Sequence, residues 1–98
     1  MLFLNTWRII DSSEHGAKRA LQVFSGWSPP PGMEIKGFYT FADLSGGASI
    51  AEVDSAATML KVTAVFTPWL EIQSRAIVPI EEGSALQAEA VAFRDSIS

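Results

Sequence analysis

The apolar pattern of this chain changes period several times, and the order of those changes leaves few folds open. Residues 2–10 are rich in β-forming side chains and stop at Asp11, Ser12 and Ser13, a cluster that both ends a strand and caps a helix. From Glu14 the spacing lengthens: Ala17, Ala20, Leu21 and Phe24 fall at i, i+3, i+4 and i+7, which predicts a helix with one apolar face that Gly26 ends. Pro29, Pro30 and Pro31 then impose a stiff, extended connection. Residues 33–42 alternate as a strand, with Ile35, Tyr39 and Phe41 on one side and Lys36, Phe38 and Thr40 on the other. The turn from Asp43 to Gly47 sends the next strand, 48–53, back antiparallel. Asp54 or Ser55 offers an N-cap to a second helix that Pro68 terminates. Residues 70–80 form a fourth strand, and Leu86, Ala90, Phe93 and Ile97 mark a C-terminal helix from near Ser84 that should pack somewhere.

The order is β-α-β-β-α-β with an added helix. Right-handed crossovers wind this order into an α+β, ferredoxin-like arrangement with a four-stranded antiparallel sheet. One domain is expected over 1–98, with residues 1–80 as core and 81–98 as the C-terminal helix. Both crossover helices must then lie on one side of the sheet, which leaves the other face bare. Composition bears on that face, because only 18% of residues are charged against 48% hydrophobic, and a small monomer needs more polar cover. A second copy of the sheet is the simplest lid, so the chain is expected to be a homodimer.

The same figures narrow the partners. A net charge of -4, with seven basic residues scattered singly from Arg8 to Arg94, argues against nucleic acid, whose affinity rests on clustered Lys and Arg. Zero cysteines exclude disulfides, thiolate metal sites and a Cys nucleophile, and the one histidine leaves little for a metal centre, so no metal or cofactor is expected. The N-terminus lacks the basic region of a signal peptide, and no apolar run reaches the roughly 20 residues of a membrane span. The expectation is a cytoplasmic protein with no membrane partner. Ser45-Gly46-Gly47 is a hairpin turn with no lysine or helix behind it, so it is no phosphate loop, and there is no Gly-x-Ser-x-Gly elbow.

Six side chains are candidates for a small-molecule pocket between sheet and helices. Asn5 and Trp7 lie two apart on the first strand and face the same way, an amide beside an aromatic wall. Trp27 offers a rigid aromatic edge in the proline loop, and Tyr39 a phenol on the second strand. Glu52 is a strand carboxylate whose pKa burial would raise toward the range useful for proton abstraction, although a strand Glu more often pairs with a cation such as Arg75 or Lys36. Arg75, with Arg8, suits an anionic group, and equally an interface ion pair. His15 sits in the first turn of a helix, a position for a solvent-facing residue. The competing reading is a non-enzymatic dimeric structural or interaction module, in which six Phe and three Trp serve only core and interface.

Several short features together resemble a known family. They are Met1-Leu2-Phe3 entering a strand with Thr6-Trp7, the Pro29–Gly32 loop, Gly37-Phe38-Tyr39, the run from Gly47 to Glu52-Val53-Asp54, Trp69 after the second helix, and Pro79. Over roughly residues 1–80 the chain resembles the uncharacterised DUF3303 family within the dimeric α+β-barrel superfamily. That resemblance implies the ferredoxin-like fold and a dimer, and assigns no reaction. Superfamily relatives include cofactor-free monooxygenases, lactone isomerases and haem-degrading enzymes, so a cofactor-free monooxygenase or isomerase-like activity is a further alternative. The haem-degrading branch pairs an Asn on the first strand and a Trp near the second helix with an axial His; Asn5 and Trp69 match, but no histidine follows.

Overall fold

The computed structural model describes residues 1–97. In chain order it contains β1 (Leu2–Ile9), α1 (Glu14–Gly26), β2 (Met33–Thr40), β3 (Gly46–Val53), α2 (Ala56–Phe66), β4 (Leu70–Ile77) and α3 (Ile80–Ser96). The strands make one four-stranded antiparallel sheet in the order β2-β3-β1-β4. α1 links β1 to β2 and α2 links β3 to β4, so the architecture is α+β and ferredoxin-like.

Local chemistry sets the boundaries. The Ser13 hydroxyl accepts a hydrogen bond from the Gly16 N–H at 3.1 Å and opens α1. Asp11 steadies that cap by accepting from the Ser13 hydroxyl at 2.6 Å and its N–H at 3.1 Å. For α2 the cap is Ser55, which accepts from the Thr58 N–H at 3.2 Å, while Asp54 accepts from the Thr58 hydroxyl. Between β2 and β3, Asp43 accepts from Ser45 N–H (3.0 Å) and hydroxyl (2.7 Å), an Asx turn that closes the hairpin early and lets β3 begin at Gly46 rather than Ala48. β4 ends at Ile77 and α3 begins at Ile80, ahead of Ser84, because Pro79 occupies its N-cap and Glu81 and Glu82 complement the positive end of the helix.

One face of the sheet is covered. Phe3, Ala51 and Val53 from the central strands meet Met59, Val62 and Phe66 of α2, with Val23, Trp27, Met33, Leu70 and Ile72 packed around them. Burying side chains of this size contributes about 1.5–3 kcal/mol each. α2 lies directly on β3 and β4, whereas α1 stands further from the sheet. Of the expected α1 stripe, Ala20, Leu21 and Phe24 face the cavity, the last two partly exposed, while Ala17 is exposed; Gly16, Val23 and, just beyond the helix, Trp27 extend the inward side. Gly16 is buried under the Asp11 side chain, which occupies the space a Cβ would need.

β2 departs from simple alternation. Ile35 pairs with Ala51 and Gly37 with Ile50, so Lys36 is an extra residue in a β-bulge. The bulge exchanges the two faces downstream. Ile35 and Phe38 therefore share the helix-covered face, and Tyr39 turns to the bare one, the reverse of the uninterrupted pattern.

The bare face carries Leu2, Leu4, Thr6 and Arg8 of β1, Ala48, Ile50 and Glu52 of β3, and Glu71, Gln73, Arg75 and Ile77 of β4. α3 has no buried residue and runs away from the sheet; its Leu86, Phe93 and Ile97 are exposed. The C-terminal helix thus packs on nothing within the described residues.

Candidate functional site

Because α1 stands off while α2 lies close, a cavity of about 420 Å3 opens between the covered sheet face and the two helices. Its volume falls in the range typical of small-molecule sites. Trp7, Ile35, Phe38, Leu70 and Ile72 form the sheet wall. Met59, Val62 and Phe66 close it on the α2 side, and Ala20, Leu21, Phe24 and Trp27 on the α1 side. Leu21, Phe24 and Phe38 are also exposed, which places the mouth along α1.

The aromatic wall is a connected set. Trp7 meets Phe38 edge to face at 5.5 Å, and Phe38 meets Phe24 likewise at 5.8 Å. Phe24 stacks on Trp27 at 6.3 Å, and Trp27 stands edge-on to Phe66 at 5.5 Å. Such pairs add about 0.5–1.5 kcal/mol beyond area burial and hold the rings in place. Trp7 also depends on Gly47, its partner across β1 and β3: a Cβ there would strike both the indole and the Tyr39 carbonyl. The proline loop is closed by Gly32, whose φ of 89° and contact with the Asp54 carboxylate bar other residues.

The polar part of the lining is small. Asn5 sits mid-sheet on β1, 3% exposed, directly opposite Ser49 of β3, and its Nδ2 donates to the Ser49 hydroxyl at 3.1 Å. Its Oδ1 has no hydrogen-bond partner. A buried polar atom left unpaired costs about 1–3 kcal/mol. The Ser49 hydroxyl accepts from Asn5, so its own proton is free. The pair is the buried polar part of an otherwise apolar lining. Thr40 adds little, since its hydroxyl donates to the Gly46 carbonyl at 3.3 Å.

The model of one family, the domain of unknown function DUF3303, matches residues 1–91, which takes in the whole sheet, both crossover helices and most of α3. The chain belongs to the DUF3303 family. Comparison with curated proteins returns no match. No helix is long and apolar enough to cross a membrane, and no group of three or more His, Cys, Asp or Glu is placed to hold a metal ion among the described residues.

In this DUF3303 chain the six sequence-derived candidates divide. Asn5, Trp7 and Trp27 come together on the cavity, and Tyr39 reaches its rim, although its ring lies over Gly37 on the bare face and the residue is 63% exposed. Glu52 and Arg75 lie outside the cavity, on the bare face. Glu52 pairs with the Met1 amino group at 2.9 Å rather than with Arg75 or Lys36, and Lys36 turns to Glu34 at 3.3 Å. Arg75 donates to Gln73 at 3.2 Å, and Arg8 pairs with Glu71 at 2.7 Å, all exposed. His15 is exposed. Ser49, Phe24, Phe38 and Phe66 line the cavity without having been singled out. Ser49 becomes visible only once the β1–β3 register puts it opposite Asn5, and Phe38 only once the bulge is known.

Proposed function

We propose that this protein binds a small organic molecule in the cavity between sheet and helices, with Asn5, Trp7, Trp27 and Tyr39 among the contacting residues. The observation that carries the reading is a largely apolar cavity of about 420 Å3, walled by aromatic rings and carrying the buried Asn5–Ser49 pair in its lining. A leucine at position 5 would relieve the desolvation cost of the pair, so a polar residue kept at mid-sheet beside the cavity supports a binding role. A melting-temperature screen of the whole chain against a broad library of small organic molecules tests it. A concentration-dependent rise for at least one class is expected, since only ligands that prefer the folded state stabilise it. No shift with any compound would overturn the reading.

We further propose a homodimer. The chain exposes 6972 Å2, against roughly 5,500 Å2 expected for a compact monomer of its mass. The excess is well above the roughly 800 Å2 per partner that a standard interface removes. Its sources are the bare sheet face and α3, and a lid on that face would put Glu52, Arg75 and the Tyr39 ring at the subunit boundary. Light scattering on the purified chain should give twice the mass of one chain; a monomer at micromolar concentration would defeat this reading.

A further inference from the structure

We infer that α3 is an exchanged arm: in a pair of copies, each α3 seats on the outward face of α2 in the other. The inference rests on the homodimer reading and adds where the arm goes and what receives it.

The receiving surface is a helix face poorly suited to water. Among its residues α2 carries a single charged side chain, Lys61. Thr58, Met59, Val62 and Phe66 are buried, and the opposite side, with Ala57, Leu60 and Ala64 beside Lys61, lies exposed. A helix covered on one side alone shows a polar outer face, whereas one that is apolar all round is covered on both. Ala57 and Ala64 stand two turns apart with Leu60 between them. Such small residues let a second helix approach closely and set its larger side chains into the grooves.

α3 supplies a complementary surface. Leu86, Ala90, Phe93 and Ile97 form one exposed stripe, and Glu82 and Glu89, two turns apart, run along one border of it. α3 also carries Glu81 and Asp95 against Arg94 alone, so most of the net charge of -4 sits on this helix. Lys61, Glu82 and Glu89 have no ion-pair partner among the described residues. Seating α3 on α2 covers both apolar faces and brings the glutamate border to the lysine.

The arm cannot take this seat on its own chain. β4 ends at Ile77 and α3 begins at Ile80, and the N–H groups of Glu82 and Gly83 donate to the Pro79 carbonyl at 3.1 Å, so only Val78 and Pro79 form the link. The three Cα steps from Ile77 to Ile80 span at most about 11 Å. A helix lying on the outer face of α2 has its axis roughly 18–20 Å from the sheet, one sheet-to-helix layer plus one helix-to-helix spacing. α3 is also about 25 Å long in a molecule whose longest dimension is 60 Å, and it projects clear of the body. The seat it can reach is that of a second copy, and a two-fold axis makes the exchange reciprocal.

Crosslinking tests the seat, and a chain without native cysteine gives it a clean background. Two full-length single variants, Ala64→Cys and Ala90→Cys, one of them carrying a size tag, are refolded together and treated with a short bismaleimide. A covalent pair of tagged and untagged chains is expected, lost when either cysteine is omitted, while light scattering of the parent gives the mass of two chains. In the control Gln73→Cys, on the bare sheet face, replaces Ala64→Cys and should give little product. All three positions are exposed, so each variant should melt with the parent; Ala57→Cys, on the same outward face, replaces Ala64→Cys if that variant melts early. Joining of Ala90→Cys to Gln73→Cys as readily as to Ala64→Cys, or a dimer that gives neither product, overturns the exchange and leaves the homodimer standing. A monomer by light scattering removes both.

Discussion

Asn5 occupies a position that sheet stability alone would give to leucine or valine. Its single side-chain hydrogen bond, to Ser49 at 3.1 Å, leaves the carbonyl oxygen buried and unpaired. Replacing both partners by apolar residues removes the desolvation cost along with the bond. The double variant Asn5→Leu/Ser49→Ala should therefore be as stable as the parent, or more stable by about 1 kcal/mol, in urea unfolding, while losing ligand-induced stabilisation. A fall of several kcal/mol would mean that the pair serves the fold. Gly47 shows the opposite constraint, a residue the fold cannot exchange. Its missing side chain makes room for the Trp7 indole against the backbone of β2. Gly47→Ala should cost about 1–3 kcal/mol in the same measurement and shift the tryptophan emission as Trp7 leaves its seat.

At the scale of elements, two short polar turns decide where strands stop. Asp11 ahead of α1 and Asp43 in the β2–β3 turn are both held below the ordinary aspartate pKa, first by the serine hydroxyl two residues on and then by that serine's N–H. A carboxylate whose folded pKa is depressed contributes stability that is present above its unfolded pKa and lost as pH falls through the folded one. Urea midpoints should therefore decline as pH drops below the ordinary carboxylate range. The decline should be shallower in Asp11→Asn/Asp43→Asn, since asparagine keeps the turn but not the charge; an unchanged slope would assign the pH dependence to other carboxylates. Both turns are readable in the sequence as Asp-x-Ser. The bulge at Lys36 is not, because no residue there demands it. It is set by how β2 meets β3, and it moves Phe38 into the cavity and Tyr39 out of it.

The whole molecule is longer than its mass requires. Its radius of gyration is 17.6 Å, against about 13 Å for a compact chain of this length, and α3 accounts for the difference. Leu86 and Phe93, three to four residues from Ala90 along the same stripe, are 57% and 65% exposed on a helix with no partner within the described residues. If this stripe helps join two copies, Leu86→Glu/Phe93→Glu should halve the mass seen by light scattering, with the helix content unchanged by circular dichroism. A dimer that survives would place the contact on the bare sheet face alone, where Leu4→Glu is the corresponding test.

The order of elements, the capping of α1 and α2 by serine or its neighbour, the hairpin and the shared side of Asn5 and Trp7 on β1 are all legible in the residue order. These depend on interactions within a few residues, where period and turn chemistry suffice. The remaining features come from packing between distant segments. The register put Ser49 beside Asn5, the bulge exchanged Phe38 for Tyr39, and the differing stand-off of α1 and α2 opened the cavity. Glu52 and Arg75 went to the bare face because alternate strand residues face opposite ways, and which parity points toward the helices is fixed only when the whole apolar surface is buried together.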